Sequence, residues 1–172
     1  LQHCITCHGY QGEGGDSAPD LTAYNSRSWL KGFFRNPNAV KYYGKTQFRE
    51  MPESAMGEDD LSYLIDFLVA QSETETPVDP VLREIGETIL EQEGCHNCHT
   101  YNGRGGDFAP TLDGFASDEW LRGMIEDAGQ ERYFGKYNTM PSFKEVIGKE
   151  EMDKLVLFIQ SLRRESTSAL LE

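Results

Sequence analysis

The four cysteines of this 172-residue chain fall into two pairs of the same form. Cys4 and Cys7 enclose two residues, Cys95 and Cys98 enclose two more, and a histidine follows each pair at once, His8 and His99. A C-x-x-C-H run puts two thiols on one side of a helical turn. There they can form thioethers with the two vinyl groups of a haem, while the next imidazole points at the iron. Other chemistries of paired cysteines fit less well. Zinc sites built from two C-x-x-C pairs usually space them by about 15–20 residues, and these pairs lie 91 apart. A redox-active C-x-x-C needs no histidine beside it and belongs with a βαβ pattern that is not seen here. A disulfide closing so small a ring is strained. The pairs therefore predict two covalently bound haem c groups, one on Cys4, Cys7 and His8 and one on Cys95, Cys98 and His99.

Such an iron needs a second axial ligand. Met51 and Met140 are each followed by proline and stand at matching places after their C-x-x-C-H. A thioether there raises the reduction potential. Met56 competes with Met51, five residues away in the same loop, and both remain candidates at this point. Met124 and Met152 sit on predicted helices and read as core filling.

These residues belong to one unit written twice. Shifted by 91 positions, Cys4–Leu21 superposes on Cys95–Leu112 with 11 of 18 residues identical. The match continues through Ser26/Ser117, Trp29-Leu30/Trp120-Leu121, Gly32/Gly123 and Tyr42/Tyr133 to Met51-Pro52/Met140-Pro141. Residues 1–72 form a first domain, 73–80 a polar, proline-bearing linker and 81–172 a second domain.

Each copy predicts the same elements. A Gly-rich loop follows the cysteines, Gly12–Pro19 or Gly103–Pro110. It superficially resembles a phosphate cradle, but it follows no strand and reads as a tight turn around the haem. Ser26 and Ser117 cap a short helix that carries Trp29 or Trp120. Both tryptophans are expected beside a haem or its propionates. Tyr43, Phe134, Lys45 and Lys136 either do likewise or lie on surface loops. A final helix buries Leu61, Leu64, Ile65 and Leu68 in the first copy, and Met152, Leu155, Val156 and Ile159 in the second. Its acidic first turn, Glu58–Asp60 or Glu150-Glu151, complements the helix dipole. His3 and His96 are expected in solvent. With no convincing alternating strand, the class is all-α.

One asymmetry stands out. Asp79 and Pro80 open a helix with apolar Leu82, Ile85 and Ile89 before the second motif, whereas only Leu1-Gln2-His3 precede the first. The expectation is a piece of a longer polypeptide whose missing part holds the first copy's opening helix, and with it a signal or anchor.

Composition narrows the partners. The net charge is −13. Residues 1–78 carry 6 basic and 11 acidic side chains, and residues 79–172 carry 10 and 18. Nucleic acid and anionic lipid are disfavoured, and a basic protein partner is allowed. No run approaches the roughly 18 apolar residues of a membrane span. Hydrophobic residues make up 38% and the mean hydropathy is −0.58, thin material for two small cores.

With CITCH, CHNCH, two Ala-Pro-x-Leu segments and two Met-Pro pairs, the chain resembles a tandem dihaem class I cytochrome c along nearly its whole length. That resemblance implies two domains, each wrapped around one haem. It implies that the Pro19 and Pro110 carbonyls accept from the ring nitrogens of His8 and His99 that face away from the iron. It also implies that an N-terminal helix crosses the C-terminal helix at a small glycine contact, with Gly86 and Leu90 against Leu157 or Phe158. The activity implied is single-electron relay rather than catalysis. The expected setting is periplasmic, in a cytochrome bc-type quinol:cytochrome c oxidoreductase. Alternatives are the dihaem subunit of a cytochrome oxidase, a soluble carrier, or less readily a dihaem peroxidase or dehydrogenase. Partners would be complex subunits or a basic soluble cytochrome or copper protein.

Overall fold

The computed structural model describes residues 3–47, 50–73 and 76–164. Leu1 and Gln2, and the linker residues Thr74 and Glu75, lie outside them. Five α-helices carry the fold: α1 (Arg27–Arg35), α2 (Glu58–Gln71), α3 (Pro80–Gln92), α4 (Asp118–Asp127) and α5 (Lys149–Leu162). Cys4–Thr6 and Cys95–Asn97 form single 3-10 turns. The strands are two residues long, β1 (Gly9–Tyr10) and β2 (Glu13–Gly14), paired antiparallel across Gln11-Gly12. Both turn residues have positive φ, which suits a two-residue hairpin turn. The second repeat reduces this ladder to one bridge, Tyr101 to Arg104. The helical class read from the sequence therefore holds.

The capping chemistry acts as predicted. The Ser26 and Ser117 hydroxyls accept from the Trp29 and Trp120 amides at 3.1 and 3.2 Å, starting α1 and α4. The Asp79 carboxylate accepts from Val81 and Leu82, each at 3.0 Å, with Pro80 in the first turn of α3. Leu61, Leu64, Ile65 and Leu68 of α2, and Met152, Val156 and Ile159 of α5, are buried. Leu155 is half-buried. No helix is long and apolar enough to cross a membrane among the described residues.

The chain forms two compact units. One holds the residues up to Gly57 together with the segment from Phe158, and the other runs Glu58–Leu157. The closing helix of the first repeat, α2, falls in the second of these units. In the Glu58–Leu157 unit, α2 packs on α3, and the space above Gly86 is filled by the Phe67 ring of α2. Phe67 also meets Tyr101 edge to face at 5.6 Å. The expected partners of Gly86, Leu157 and Phe158, are elsewhere: Leu157 is exposed, and Phe158 meets Tyr10 edge to face at 5.7 Å in the other unit. Phe67 and Phe158 stand 91 residues apart, as do Tyr10 and Tyr101. Each repeat's tyrosine thus stacks on the closing-helix phenylalanine of the other repeat.

Candidate haem centres

Each C-x-x-C-H turn is held by its own glycine loop. The amides of His8 and His99 donate to the carbonyls of Cys4 and Cys95 at 2.9 Å. The amides of Gly15 and Gly106 donate to Ile5 and His96 at 2.8 Å. The loop also returns through Ala18 to Cys7 and Ala109 to Cys98, both at 3.1 Å. Gly14 and Gly105 have φ of +94° and +108°, and a Cβ on either would overlap the carbonyl of His8 or His99. Only glycine meets both demands, so these loops are fitted to the backbone of the cysteine turn.

The two histidines share one geometry. His8 Nδ1 lies 2.7 Å from the Pro19 carbonyl oxygen, and His99 Nδ1 lies 2.6 Å from that of Pro110. A carbonyl can only accept, so each Nδ1 carries the proton. Burial pushes both imidazole pKa values down, against the raising effect of these bonds. Each ring is therefore held neutral with its Nε2 lone pair available, the state in which imidazole binds a metal.

None of the four cysteines pairs in a disulfide, and Cys7 and Cys98 are exposed. Burial and the Glu93 carboxylate push the Cys95 thiol pKa up, the opposite of what a redox-active nucleophile needs. Among the described residues no three His, Cys, Asp or Glu side chains gather as a metal-binding cluster. Two cysteines free of disulfides, a neutral imidazole with Nε2 open and a glycine-shaped turn fit a covalently held haem.

The methionines are positioned by the end of the preceding helix. The Ser54 amide donates to the Phe34 carbonyl at 2.8 Å, and the Phe143 amide to the Ile125 carbonyl at 3.3 Å. Phe34 and Ile125 are repeat equivalents, and Met51 and Met140 each precede the bonded amide by three residues. In this register Met56 corresponds to Glu145. Met56 is buried, and its carbonyl accepts from Arg35 at 2.9 Å. Met51 and Met140 are half-buried. Asn138, which sequence reasoning missed, brackets Met140. Its side-chain amide donates to the Met140 carbonyl and its side-chain oxygen accepts from the Met140 amide, both at 2.8 Å.

Trp29 and Trp120 are both buried, and the single N–H of each indole donates to a backbone carbonyl, Asp20 or Thr111, at 3.0 Å. His96 differs from its expected solvation: its Nδ1 is buried without a partner among the described residues.

The cytochrome c profile matches residues 1–72 and again 84–163. The chain belongs to the cytochrome c family. Two such regions carry two covalently bound haem c groups, and the family's work is electron transport in respiratory chains. Curated relatives include the Cbb3-type cytochrome c oxidase subunit CcoP of Helicobacter pylori strain 52, 27% identical over 170 residues. That match covers 95% of this chain and 56% of the relative. The same subunit from strain ATCC 700392 / 26695 is 27% identical over 150 residues, 84% of this chain and 50% of the relative. Cytochrome c oxidase subunit 2 of Alkalihalophilus pseudofirmus is 21% identical over 160 residues, 86% of this chain and 45% of that protein. The chain thus spans about half the length of the curated relatives it matches. No solved structure gives a significant match. These relatives are oxidase subunits, so the expected kinship with a bc-type complex is not supported, and the likeness is to the oxidase alternative.

Proposed function

We propose that this chain is the dihaem electron-relay part of a cbb3-type cytochrome c oxidase subunit, on the extracytoplasmic side of a membrane. The observation that carries the proposal is the duplicated histidine–proline geometry, at 2.7 and 2.6 Å, in a chain that aligns with CcoP over 95% of its length. Haem c, when bound, supplies a one-electron iron couple.

The residues divide the task. Cys4 and Cys7, and Cys95 and Cys98, would hold the haems through thioethers. His8 and His99, their rings fixed by Pro19 and Pro110, would offer Nε2 to the iron. Met51 and Met140 would offer it their thioether sulfurs. The shared register behind Phe34 and Ile125 supports Met51 over Met56. The repeats at 1–72 and 81–172 each supply one full ligand set. The charge of −13 favours a basic soluble cytochrome or copper protein as electron donor, with oxidase subunits as acceptors.

A pyridine haemochrome assay on the haem-loaded chain, with carbon monoxide added to its reduced form, tests this reading. Two haems per chain that resist carbon monoxide are expected. Fewer than two haems, or rapid stoichiometric binding at both, would overturn it.

A further inference from the structure

The proline carbonyl that receives the histidine proton belongs to a peptide group held at its other edge too. In the first repeat the Asp20 amide, on the same peptide plane as the Pro19 carbonyl, donates to the Lys41 carbonyl at 2.9 Å. Trp29 Nε1 donates to the Asp20 carbonyl at 3.0 Å. The hydroxyl of Tyr42, next in chain to Lys41, donates to the Trp29 carbonyl at 3.2 Å. Three bonds close a ring around the peptide behind His8.

The second repeat builds the same ring. Thr111 donates to the Arg132 carbonyl at 2.8 Å, Trp120 Nε1 to the Thr111 carbonyl at 3.0 Å, and the Tyr133 hydroxyl to the Trp120 carbonyl at 3.1 Å. Gly32 and Gly123 belong to the design, since a Cβ on either would overlap the tyrosine hydroxyl. The two copies differ where only backbone takes part, Asp20 against Thr111 and Lys41 against Arg132. They agree where the side chain takes part, at tryptophan, tyrosine and the glycine that makes room.

The physical consequence falls on the histidine. A trans peptide points its C=O and N–H to opposite edges of one plane, so fixing the N–H fixes the carbonyl. Hydrogen bonds in series polarise one another, so an acceptor on the N–H makes the carbonyl a stronger acceptor. A stronger bond at Nδ1 makes the imidazole a more basic ligand.

We propose that Trp29 with Tyr42, and Trp120 with Tyr133, are positioning residues that set the strength of the histidine–proline hydrogen bond, and so the reduction potential of the haem on that histidine. The proposal rests on the haem ligation proposed above. A more basic histidine favours ferric iron, so loosening a ring raises the potential.

Trp120→Phe removes the indole donor and Tyr133→Phe removes only a hydroxyl, which makes the second the milder variant. Both would be made in the haem-loaded chain. A redox titration reads each haem, and NMR of the reduced protein follows exchange of the His99 Nδ1 proton. The second haem's ferric preference should fall about threefold, less than the 10–100-fold effect of removing a direct partner. At 59 mV per tenfold this is about 30 mV upward. The first haem should stay put, and the Nδ1 proton should exchange faster. Trp29→Phe and Tyr42→Phe should move only the first haem. Potentials and exchange unchanged in all four variants, or both haems shifting together, would overturn the proposal. A wild-type chain lacking haem c would instead bring down the ligation reading, and this proposal with it. Intact haem content with unmoved potentials brings down the ring alone.

Discussion

Gly86→Ala places a methyl group where α2 already stands. Built on the backbone, that Cβ lies 2.5 Å from Phe67 Cδ1 and 2.8 Å from Phe67 Cβ. Both distances are inside van der Waals contact, and Phe67 is fully buried, so the ring has little room to yield. Overpacking of this kind costs about 1–3 kcal/mol, against a gain of about 1 kcal/mol because alanine is the better helix former. The net loss should be at most about 2 kcal/mol, or up to roughly 8 °C in melting temperature for a chain of this size. A double-mutant cycle makes the test specific. Phe67→Ala alone should cost about 3–5 kcal/mol. In that background Gly86→Ala should turn neutral or stabilising, a coupling of about 2 kcal/mol, within the range for residues in contact. The cycle is repeated with Phe158→Ala, the residue that a self-contained second repeat would set against Gly86. Urea unfolding of the haem-loaded chain gives all the values. Coupling of Gly86 to Phe158 rather than to Phe67 would refute the exchange of closing helices.

Three further outcomes are expected. Gly105→Ala forces a side chain into a backbone at φ +108° and against the His99 carbonyl; haem staining should show loading lost at the second motif and kept at the first. Asn138→Ala releases both backbone groups of Met140, so carbon monoxide should bind the second haem of the reduced chain several times faster, while Met140→Ala opens it outright; equal rates in wild type and both variants would remove Met140 as a ligand. Burial, with help from Glu87, pushes the Tyr101 pKa up to about 12. The unfolded tyrosine, near 10, therefore loses its proton first, so stability falls as pH rises from about 10 to 12. Tyr101→Phe should flatten that part of the stability profile, measured by urea unfolding across the range.

Much of this was legible in the sequence, and the parts that were not share a cause. Ser26, Ser117 and Asp79 announce their helices because a cap is a local bond to an amide two or three residues on. Gly14 and Gly105 announce tight turns because the left-handed region favours one residue type. Phe67 and Phe158 could not be assigned in this way. They occupy equivalent places in the repeat, and so do Tyr10 and Tyr101, so a self-contained and an exchanged pairing bury the same kinds of side chain. Pattern alone is blind to that choice. The eight residues from Ser72 to Asp79 between α2 and α3 bear on it, because a short connection keeps sequential helices adjacent. The roles of Trp29 and Trp120 were hidden for another reason. Their N–H groups meet backbone carbonyls, and a carbonyl carries no signature of its own in a sequence.

The exchange also bears on the low apolar content. A helix that closes one unit while belonging to the other repeat makes each unit's interior depend on both halves of the chain. Phe67 fills the space over Gly86 and meets Tyr101, and Phe158 meets Tyr10. With 38% hydrophobic residues, neither half has surplus core to replace what the other supplies, and each also relies on the apolar bulk of its haem. Cutting the chain within Ser72–Asp79 and separating the pieces should therefore cost more than removing a tether. The piece ending before the cut would keep Tyr10 but lose Phe158, and the piece beginning after it would keep Gly86 and Tyr101 but lose Phe67. Mixing the two haem-loaded pieces should restore near-ultraviolet dichroism that neither shows alone. Two pieces that each fold fully by themselves, with no gain on mixing, would show that each repeat closes on its own helix.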